Sequence, residues 1–280
     1  MNQKIIFFGS GEYTIPVVEK LLKHGLSLIV TTEKEGQSKL IEFSKSNNIS
    51  FLTASNASDL INHQSLIINH NVGVLASYGA FVPNEVINMF PDGIINIHPS
   101  LLPKYKGPSP IQYALLNGES VTGVTLIKLD NEIDHGPILA QKPYNLQGNE
   151  TSEDLLSILF EIGADMVEEE VLKLENGEKL TETPQNHNQE TWSYKITKQD
   201  GFIDIYKLKA TSYKLQTMIR AFYPWPGIWF TAELKGQTKI VKLLPEDKIQ
   251  VEGKNPMSYK DFINGFGDEG KELLVKLGYY

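Results

Sequence analysis

Three residues whose side chains can act together on a carbonyl group stand at the ends of apolar runs. Asn96 and His98 close the run IINIH, and Asp134 lies in LDNEIDHGP after a later run. Alternate residues of a strand point to the same face, roughly 6.5 Å apart, so the amide and the imidazole should project together. An amide and a protonated imidazole can stabilise an oxyanion while a carboxylate orients the imidazole and relays protons, a set suited to acyl transfer.

A second interpretation needs no chemistry, because Asn96 and His98 could be buried polar groups satisfied locally at a strand end. The neighbouring loops favour the functional interpretation. SLLPKYKGPSP follows the first run, and Asp130, Glu132 and Asp134 share a loop marked by glycine and proline. Loops at strand ends are where binding and catalytic residues concentrate.

The elements that would position these residues alternate between strands and helices over the first 150 residues. This alternation predicts an α/β domain, a Rossmann-like parallel sheet with helices on both faces. Ligands bind such sheets at the carboxyl ends of the strands. The predicted strands cover residues 4–9, 26–32, 71–79, 93–98, 123–130 and 136–144, and the predicted helices cover 15–25, 38–48, 83–90 and 151–177.

Two domains are predicted along the chain. Residues 1–177 form the α/β domain, and residues 178–192 are polar, contain proline and lack periodicity, so they are predicted to be a linker. Short β-like runs dominate residues 193–280, which predicts a small, shortened, β-rich domain of OB-like type, either a barrel or an open sheet. Its predicted strands cover 201–206, 227–234, 238–245 and 248–253, and one predicted helix covers 208–222.

Composition restricts the class of protein. The chain has no cysteine, and its six histidines lack metal-ligand spacing, so we expect no disulfide and no required metal. No apolar run approaches the roughly 18 to 20 residues that a membrane helix needs. The N-terminus is interpreted as a strand rather than a signal peptide. These features favour a cytoplasmic protein, with neither a membrane nor a stable protein partner.

Charge is unevenly distributed. The net charge of −8 argues against wide, non-specific nucleic-acid binding. Residues 193–280 nevertheless carry fourteen basic against ten acidic residues, which would allow contact with a phosphate backbone. Arg220 is the only arginine in the sequence, so forked recognition of a phosphate or a carboxylate is available at one place.

The motifs around the three polar residues resemble the signature of the folate-dependent formyltransferases. That signature is Asn-x-His, then SLLP, then an aspartate in a D-x-G-P turn, which this chain fills with Asn96, His98, residues 100–103 and residues 134–137. The resemblance implies transfer of a formyl group from 10-formyltetrahydrofolate to an amine. It implies Asn96 and His98 as oxyanion donors, and Asp134 as the residue that orients the imidazole and assists proton transfer.

The same resemblance indicates where folate would bind. The segment VLASYGAFVP at 74–83 is similar to the family's folate-pocket segment, and the Asp130–Asp134 loop is expected opposite it. A flat heterocycle suits an apolar slot lined with backbone donors and acceptors. Packing in the core is an alternative interpretation of Phe81. The predicted cofactor-binding residues are Ser77, Tyr78, Gly79, Phe81, Val82, Pro83, Ser100, Asp130 and Ile133.

The resemblance specifies the acceptor amine less closely than it specifies the formyl donor. KITKQDGFIDI and the run PWPG at 224–227 resemble the C-terminal domain of the family members that formylate methionyl-tRNA, which implies contact with a tRNA acceptor stem. Sugar nucleotides and small amines such as glycinamide ribonucleotide are alternative acceptors. The predicted acceptor-binding residues are Gly9, Ser10, Gly11, Glu12 and Arg220.

Alternatives stay open for these residues. The turn GSGEYT at 9–14 could be a tight strand-to-helix connection, and Arg220 could pair with a carboxylate. The chain also departs from the tRNA-formylating members in two places, because residues 31–39 are short where those members carry a long basic loop and the C-terminal domain is shortened. A folate-binding module without turnover and a hydrolase that passes the formyl group to water are further alternatives.

Overall fold

The computed structural model describes residues 4–206 and 212–279. The strands are β1 Ile5–Gly9, β2 Leu26–Thr31, β3 Ser50–Thr53, β4 Val72–Ala76, β5 Ile94–His98, β6 Val121–Lys128, β7 Ile138–Asn145, β8 Ile228–Leu234, β9 Gln237–Leu244, β10 Lys248–Val251 and β11 Met257–Ser258. The α-helices are α1 Ile15–Leu21, α2 Lys39–Ser46, α3 Ala57–Asn62, α4 Gln64–Ile67, α5 Asn84–Ile87, α6 Pro110–Leu116, α7 Ser152–Glu175, α8 Ser212–Phe222 and α9 Tyr259–Lys276.

A seven-stranded sheet carries the predicted site. Its strand order is β3-β2-β1-β4-β5-β6-β7. The first five strands in that order run parallel, whereas β6 pairs antiparallel with both β5 and β7. The predicted Rossmann-like class is therefore confirmed, and the sheet is mixed rather than parallel throughout, because β6 pairs antiparallel. The short segment between β6 and β7 contains no helix, and parallel neighbours need a long crossover connection, so these two strands can only pair antiparallel.

The apolar runs become strands because they are covered on both faces. Every residue of β1 and of β5 is buried, as expected for central strands of a sheet with helices on both sides. One cluster of buried side chains packs under β1, β2 and α5, with Phe8 edge-on to Tyr78 at 5.7 Å. Helix α7 begins as predicted, since the Thr151 hydroxyl accepts from the Asp154 backbone N–H and the Asp154 carboxylate accepts from that of Thr151.

The chain folds into two units that are not simple halves of the sequence. The first unit comprises Met1–Gly107, Val121–Asn145 and Leu156–Trp192, and the second comprises Pro108–Ser120, Leu146–Leu155 and Ser193–Tyr280. The segment 178–192, predicted to be a linker, lies entirely within the first unit. There Thr183 exchanges two backbone hydrogen bonds of 2.8 Å with Ile138.

An antiparallel sheet of four strands in the order β11-β10-β9-β8 organises the second unit. Burial alternates strictly along β8, because one face packs on an apolar core and the other meets water. Helices α8 and α9 contribute buried side chains to that core, including Leu215, Ile219, Phe262 and Leu274. The prediction of a small β-rich domain is thus confirmed.

Three details of the second unit differ from expectation. Residues 201–206 were predicted as a strand, but they form only one isolated bridge, between Phe202 and Trp229. The predicted helix 208–222 is found from Ser212 onward, while residues 207–211 lie outside the described part of the chain. Helix α9 was not predicted, because Gly265, Gly267 and Gly270 interrupt its sequence. It bends at Gly267, whose φ of 60° is not helical.

Within residues 4–206 and 212–279, the structure contains no helix long and apolar enough to cross a membrane.

Candidate active site

The carboxyl ends of three neighbouring parallel strands meet at one edge of the large sheet. Gly9 at the end of β1 pairs with Ala76 at the end of β4, and Ala76 pairs with Ile97 near the end of β5. The chain continues from β1 towards β2 on one side and from β4 towards β5 on the other, so the winding direction switches between β1 and β4. Sheets of this kind bind ligands at such a position.

His98 is held from both ring nitrogens. Its Nε2 lies 3.0 Å from the Tyr105 backbone carbonyl and its Nδ1 lies 3.5 Å from Asp134 Oδ1. A carbonyl can only accept, so Nε2 carries a proton. When Nδ1 is also protonated, the ring pairs with the Asp134 carboxylate, and only 5% of the residue is exposed. The ring is therefore fixed in orientation with Nδ1 directed towards the carboxylate.

The Asp134 carboxylate joins the other two predicted catalytic residues. Its Oδ2 accepts from the Gly107 backbone N–H at 2.7 Å, and its Oδ1 accepts from Asn96 Nδ2 at 3.4 Å. Asn96 is 6% exposed. The structure therefore brings the side chains of Asn96, His98 and Asp134 together.

This arrangement brings one donor amide, one imidazole nitrogen and one carboxylate oxygen to a common point. The amide keeps a second N–H beyond the one donated to Asp134. Donors fixed in a site that excludes water stabilise developing negative charge without reorganisation. A carboxylate within reach of an imidazole can orient it and exchange protons with it. Together these groups could support the addition of a nucleophile to a carbonyl carbon.

Backbone geometry aims Asp134 at its partners. Asp134 has a φ of 49°, in the left-handed region that costs a side-chain-bearing residue free energy. Two residues later, a Cβ on Gly136 would lie 1.8 Å from the Lys128 carbonyl oxygen. Only glycine lets the loop turn this tightly against β6, which explains the D-x-G-P spacing in physical terms.

Two groups at the site were missed by sequence reasoning because both belong to the backbone. The Tyr105 carbonyl holds His98, and the Gly107 N–H holds Asp134. Tyr105 has a φ of 59° and Gly107 a φ of 98°. The glycine and prolines of SLLPKYKGPSP indicated an irregular loop, but no side chain indicated which peptide groups it would present.

A cavity of about 570 Å³ lies between helix α5 and the loop that follows β6. Ile87 and Leu129 supply apolar wall, while Asn88, Lys128 and Asp130 supply polar groups. A pocket that combines apolar walls with a few polar groups suits a flat heterocycle that carries amide-like edges. Asp130 is the only predicted cofactor-binding residue that lines this cavity, and its carboxylate lies 2.7 Å from His135 Nδ1.

The other predicted cofactor-binding residues fall into two groups. Phe81 and Ile133 are 60% and 63% exposed, so the alternative that Phe81 packs in the core is wrong. Ser77 is also exposed, and its hydroxyl lies 2.8 Å from the Tyr13 hydroxyl. Gly79 has a φ of 78°, and the Pro83 carbonyl accepts from the first turn of α5.

Three of the predicted cofactor-binding side chains lie in the protein interior instead. Tyr78 is 1% exposed and donates its hydroxyl to the Ala54 carbonyl. Its burial raises the pKa of the phenol above the usual value. The Ser100 hydroxyl is buried and donates to the Lys104 carbonyl, and Val82 packs in the core. Only the backbone of these residues could therefore face a ligand.

The predicted acceptor-binding residues at the end of β1 lie at the same sheet edge as His98. A Cβ on Gly9 would meet the Phe7 ring at 2.4 Å and the Ala76 carbonyl at 2.8 Å. The Ser10 hydroxyl lies 2.9 Å from that of Thr32, and Glu12 pairs with Lys39. Nearby, burial raises the pKa of the Tyr13 phenol. This turn thus presents several hydroxyl groups and one carboxylate that is paired with a lysine.

Two further expectations concern Arg220 and metal ions. Arg220 is half-buried in the second unit, where its Nη1 donates to the Glu150 backbone carbonyl at 3.4 Å. Gly11, another predicted acceptor-binding residue, has a φ of 89° in the turn after β1. In the described part of the chain, no three histidine, aspartate or glutamate side chains cluster so that they could hold a metal ion.

Comparison with known proteins identifies the class of this fold and site. The family model described as "Formyl transferase" matches residues 3–167, and the model "Formyl transferase, C-terminal domain" matches residues 195–248. The chain therefore belongs to the formyl transferase family, and it is an enzyme of the formyltransferase class.

Particular relatives extend over nearly the whole chain. Methionyl-tRNA formyltransferase from Koribacter versatilis is 30% identical over 98% of this chain and 99% of its own length. The protein of the same name from Carboxydothermus hydrogenoformans is 30% identical over 97% of this chain and 90% of its own length. These alignments include the second unit as well as the first.

Solved structures share the fold at lower sequence identity. A 4-N formyltransferase from Francisella tularensis gives a TM-score of 0.69 at 21% identity, covering 88% of this chain and 99% of that one. The N-formyltransferase from Helicobacter canadensis, solved with folinic acid and dTDP-3-aminofucose, gives a TM-score of 0.62 at 20% identity, covering 89% and 95%.

Proposed function

We propose that this protein transfers the formyl group of 10-formyltetrahydrofolate to the α-amine of methionyl-tRNA. The observation that carries the proposal is the convergence of Asn96 Nδ2 and His98 Nδ1 on Asp134 Oδ1, at 3.4 and 3.5 Å. The relatives that align over the length of both units support this acceptor. Such a substrate assigns the enzyme to the cytoplasm.

The donor is assigned to the cavity beside α5. Its apolar walls would cover a pterin ring, and the polar groups of Asn88, Asp130 and Asn131 would meet the edges of the ring. Residues 130 and 131 belong to the loop that carries Asp134. A folate bound there supplies the formyl group that is transferred, and the exposed side chains of Phe81 and Ile133 are available to cover it.

The proposed roles follow from what each side chain can donate or accept. The amine attacks the formyl carbon in its neutral form, which an α-amine with a pKa of about 7.7–8.0 populates at physiological pH. The Asn96 amide and the His98 Nδ1–H stabilise the oxyanion that develops. Asp134 orients the imidazole and relays a proton. The proton that the attacking amine loses is thus the one that the departing folate nitrogen gains.

An amine of a sugar nucleotide is the second candidate acceptor, and the segment after β2 favours it. Only seven residues, 32–38, separate β2 from α2. They include Glu33, Lys34 and Glu35, and Glu35 is paired with Lys45. A segment this short and this acidic offers little to an RNA backbone, whose recognition depends on positive charge.

The test supplies 10-formyltetrahydrofolate with three separate acceptors and two controls. The acceptors are methionyl-tRNA, a dTDP-amino sugar and glycinamide ribonucleotide, the controls are uncharged tRNA and buffer, and mass spectrometry detects the formylated amine. We expect methionyl-tRNA alone to be formylated, at a rate that falls steeply as salt rises. Formylation of the sugar without the tRNA would replace the first acceptor with the second. Consumption of the folate to free formate in every arm would contradict transfer altogether.

A further inference from the structure

Residues 183–191, here named the strap, pass from one side of the active site to the other. They belong to the segment 178–192, which was predicted to be a linker. Instead, Thr183 bridges to Ile138 at the start of β7, and the Glu190 carboxylate pairs with the buried Lys106 ammonium at 2.7 Å. Two further strap side chains, those of Gln185 and Thr191, bind the backbone that presents the proposed catalytic groups.

Gln185 holds the loop that carries Asp134. Its side-chain Nε2 donates to the Asp134 carbonyl at 2.9 Å and to the Gly136 carbonyl at 2.8 Å, and the residue is buried. One amide group thus ties together the two peptide carbonyls that flank the tight turn. Since Asp134 has a left-handed backbone conformation, these two bonds oppose its relaxation to a conformation that would redirect the carboxylate.

Thr191 holds the opposite side of the imidazole. Its hydroxyl accepts from the Tyr105 backbone N–H at 2.9 Å, and its carbonyl accepts from the Lys106 N–H at 2.9 Å. Its own N–H donates to the Pro103 carbonyl at 3.2 Å. Tyr105 is another left-handed residue, and its carbonyl is the acceptor for His98 Nε2.

We infer that Gln185 and Thr191 are positioning residues for formyl transfer. Gln185 sets Asp134 on the Nδ1 side of His98, and Thr191 sets the Tyr105 carbonyl on the Nε2 side. The strap thereby fixes the imidazole from both directions through the Asp134 loop and the Tyr105 carbonyl. This inference rests on the proposed roles of His98 and Asp134, because the strap acts only through them.

The test is a double-mutant cycle with the full chain, using the acceptor that the wild type formylates. Gln185→Leu keeps the size of the side chain and removes its donors, and we expect kcat to fall about 10- to 100-fold, since small displacements of reacting groups have effects of this size. KM for the folate should change little. In an Asp134→Asn background, the same substitution should lower kcat by no more than about twofold. Gln189→Leu, at an exposed position of the strap, is the matched control and should leave kcat unchanged.

Each outcome of the cycle is decisive. Equal losses of kcat in both backgrounds, or wild-type kcat in a folded Gln185→Leu variant, would overturn the inference while leaving the proposed function intact. A wild type that formylates no acceptor would overturn the proposed function and the inference with it. If circular dichroism shows that Gln185→Leu is unfolded, Thr191→Val replaces it. That variant should lose about tenfold in kcat alone and nothing further in a His98→Ala background, and independent losses would overturn the inference.

Discussion

The two sheets of the molecule differ in whether their polar side chains are buried or exposed. At the carboxyl edge of the large sheet, Asn96, His98 and Asp134 are nearly withdrawn from water and each has protein partners. On the four-stranded sheet, exposed lysines such as Lys242 alternate with buried Val241 and Leu243. Buried partners fix geometry before a substrate arrives, whereas exposed cations attract anions through a field that salt screens. Catalysis and acceptor recognition should therefore respond to different perturbations.

Removing one of the proposed catalytic side chains should have the largest effect. His98→Ala and Asn96→Ala should each lower kcat by about 10²–10³, equivalent to about 3–4 kcal/mol, because each removes one oxyanion donor. Steady-state formyl transfer at saturating substrates measures this loss. Asn62→Ala, at an exposed helix end, is the control. Near wild-type turnover in either folded variant would refute the assigned roles.

Closing the space at Gly136 should damage both the loop and the reaction. A Cβ there would lie 1.8 Å from the Lys128 carbonyl oxygen, so Gly136→Ala must displace backbone, and we expect it to cost about 1–3 kcal/mol of stability. Turnover should fall as well, because Asp134 lies two residues away. Urea denaturation measures the stability change.

The matched control for Gly136 is Gly265→Ala. Nothing lies within 4 Å of a Cβ at that position in α9, so this substitution should stabilise the protein by about 0.5–1 kcal/mol. Equal stability changes for the two glycines would mean that the close approach at Gly136 is not a constraint.

Reversing charge around Trp229 of the four-stranded sheet should affect the acceptor alone. Lys198 lies 5.6 Å from the centre of the Trp229 ring, and Lys242 pairs with Trp229 across the strands. If this face binds tRNA, Lys198→Glu combined with Lys242→Glu should raise KM for methionyl-tRNA about tenfold. The salt slope should fall by about one for each phosphate group that the variant no longer binds. KM for the folate should not change.

A control with the same change in charge separates a local effect from a general field. Lys260→Glu combined with Lys271→Glu alters two exposed positions of α9 and should have a smaller effect on KM for the tRNA. Equal effects of the two pairs would favour a general field, and no effect of either pair would favour a small acceptor.

The smallest effect is expected at a surface ion pair on α7. Lys20 and Lys23 lie 2.9 and 2.8 Å from the Glu168 carboxylate and lower its pKa to about 2. Glu168→Gln should cost about 0.5–1 kcal/mol at neutral pH. Because the folded pKa is depressed, this contribution is full above the ordinary pKa of about 4.5 and is lost as pH falls towards 2. Denaturation of both proteins between pH 7 and 3 checks this, and a constant difference would contradict it.

The convergence of the three proposed catalytic side chains could be predicted from sequence because their placement follows from strand geometry. Asn96 and His98 are two residues apart in a strand, and Asp134 follows a neighbouring strand, so side chains at one sheet edge could be expected to meet. The strap could not be predicted in the same way. Gln185 and Thr191 bind peptide groups, and a peptide group has no residue type that a sequence could reveal.

The burial of some predicted binding residues and the missed helix also have physical explanations. Tyr78 and Ser100 stand inside segments that resemble a ligand-binding motif, and their side chains lie in the interior, so only their backbone could meet a ligand. Helix α9 contains three glycines that are typical of loops, yet its Ser258 cap and its buried Phe262 and Leu274 stabilise it. Tertiary packing decided these cases, and local propensity alone could not.

One measurement tests most directly whether three side chains act on one carbonyl carbon. It is the single-turnover rate of formyl transfer by Asn96→Ala, by His98→Ala and by a triple variant that combines both changes with Asp134→Ala. Groups that act as a unit show strongly non-additive losses, so we predict that the His98→Ala rate lies within about tenfold of the triple variant's rate. Losses that multiply across the three positions, in variants that remain folded, would contradict a shared reaction centre.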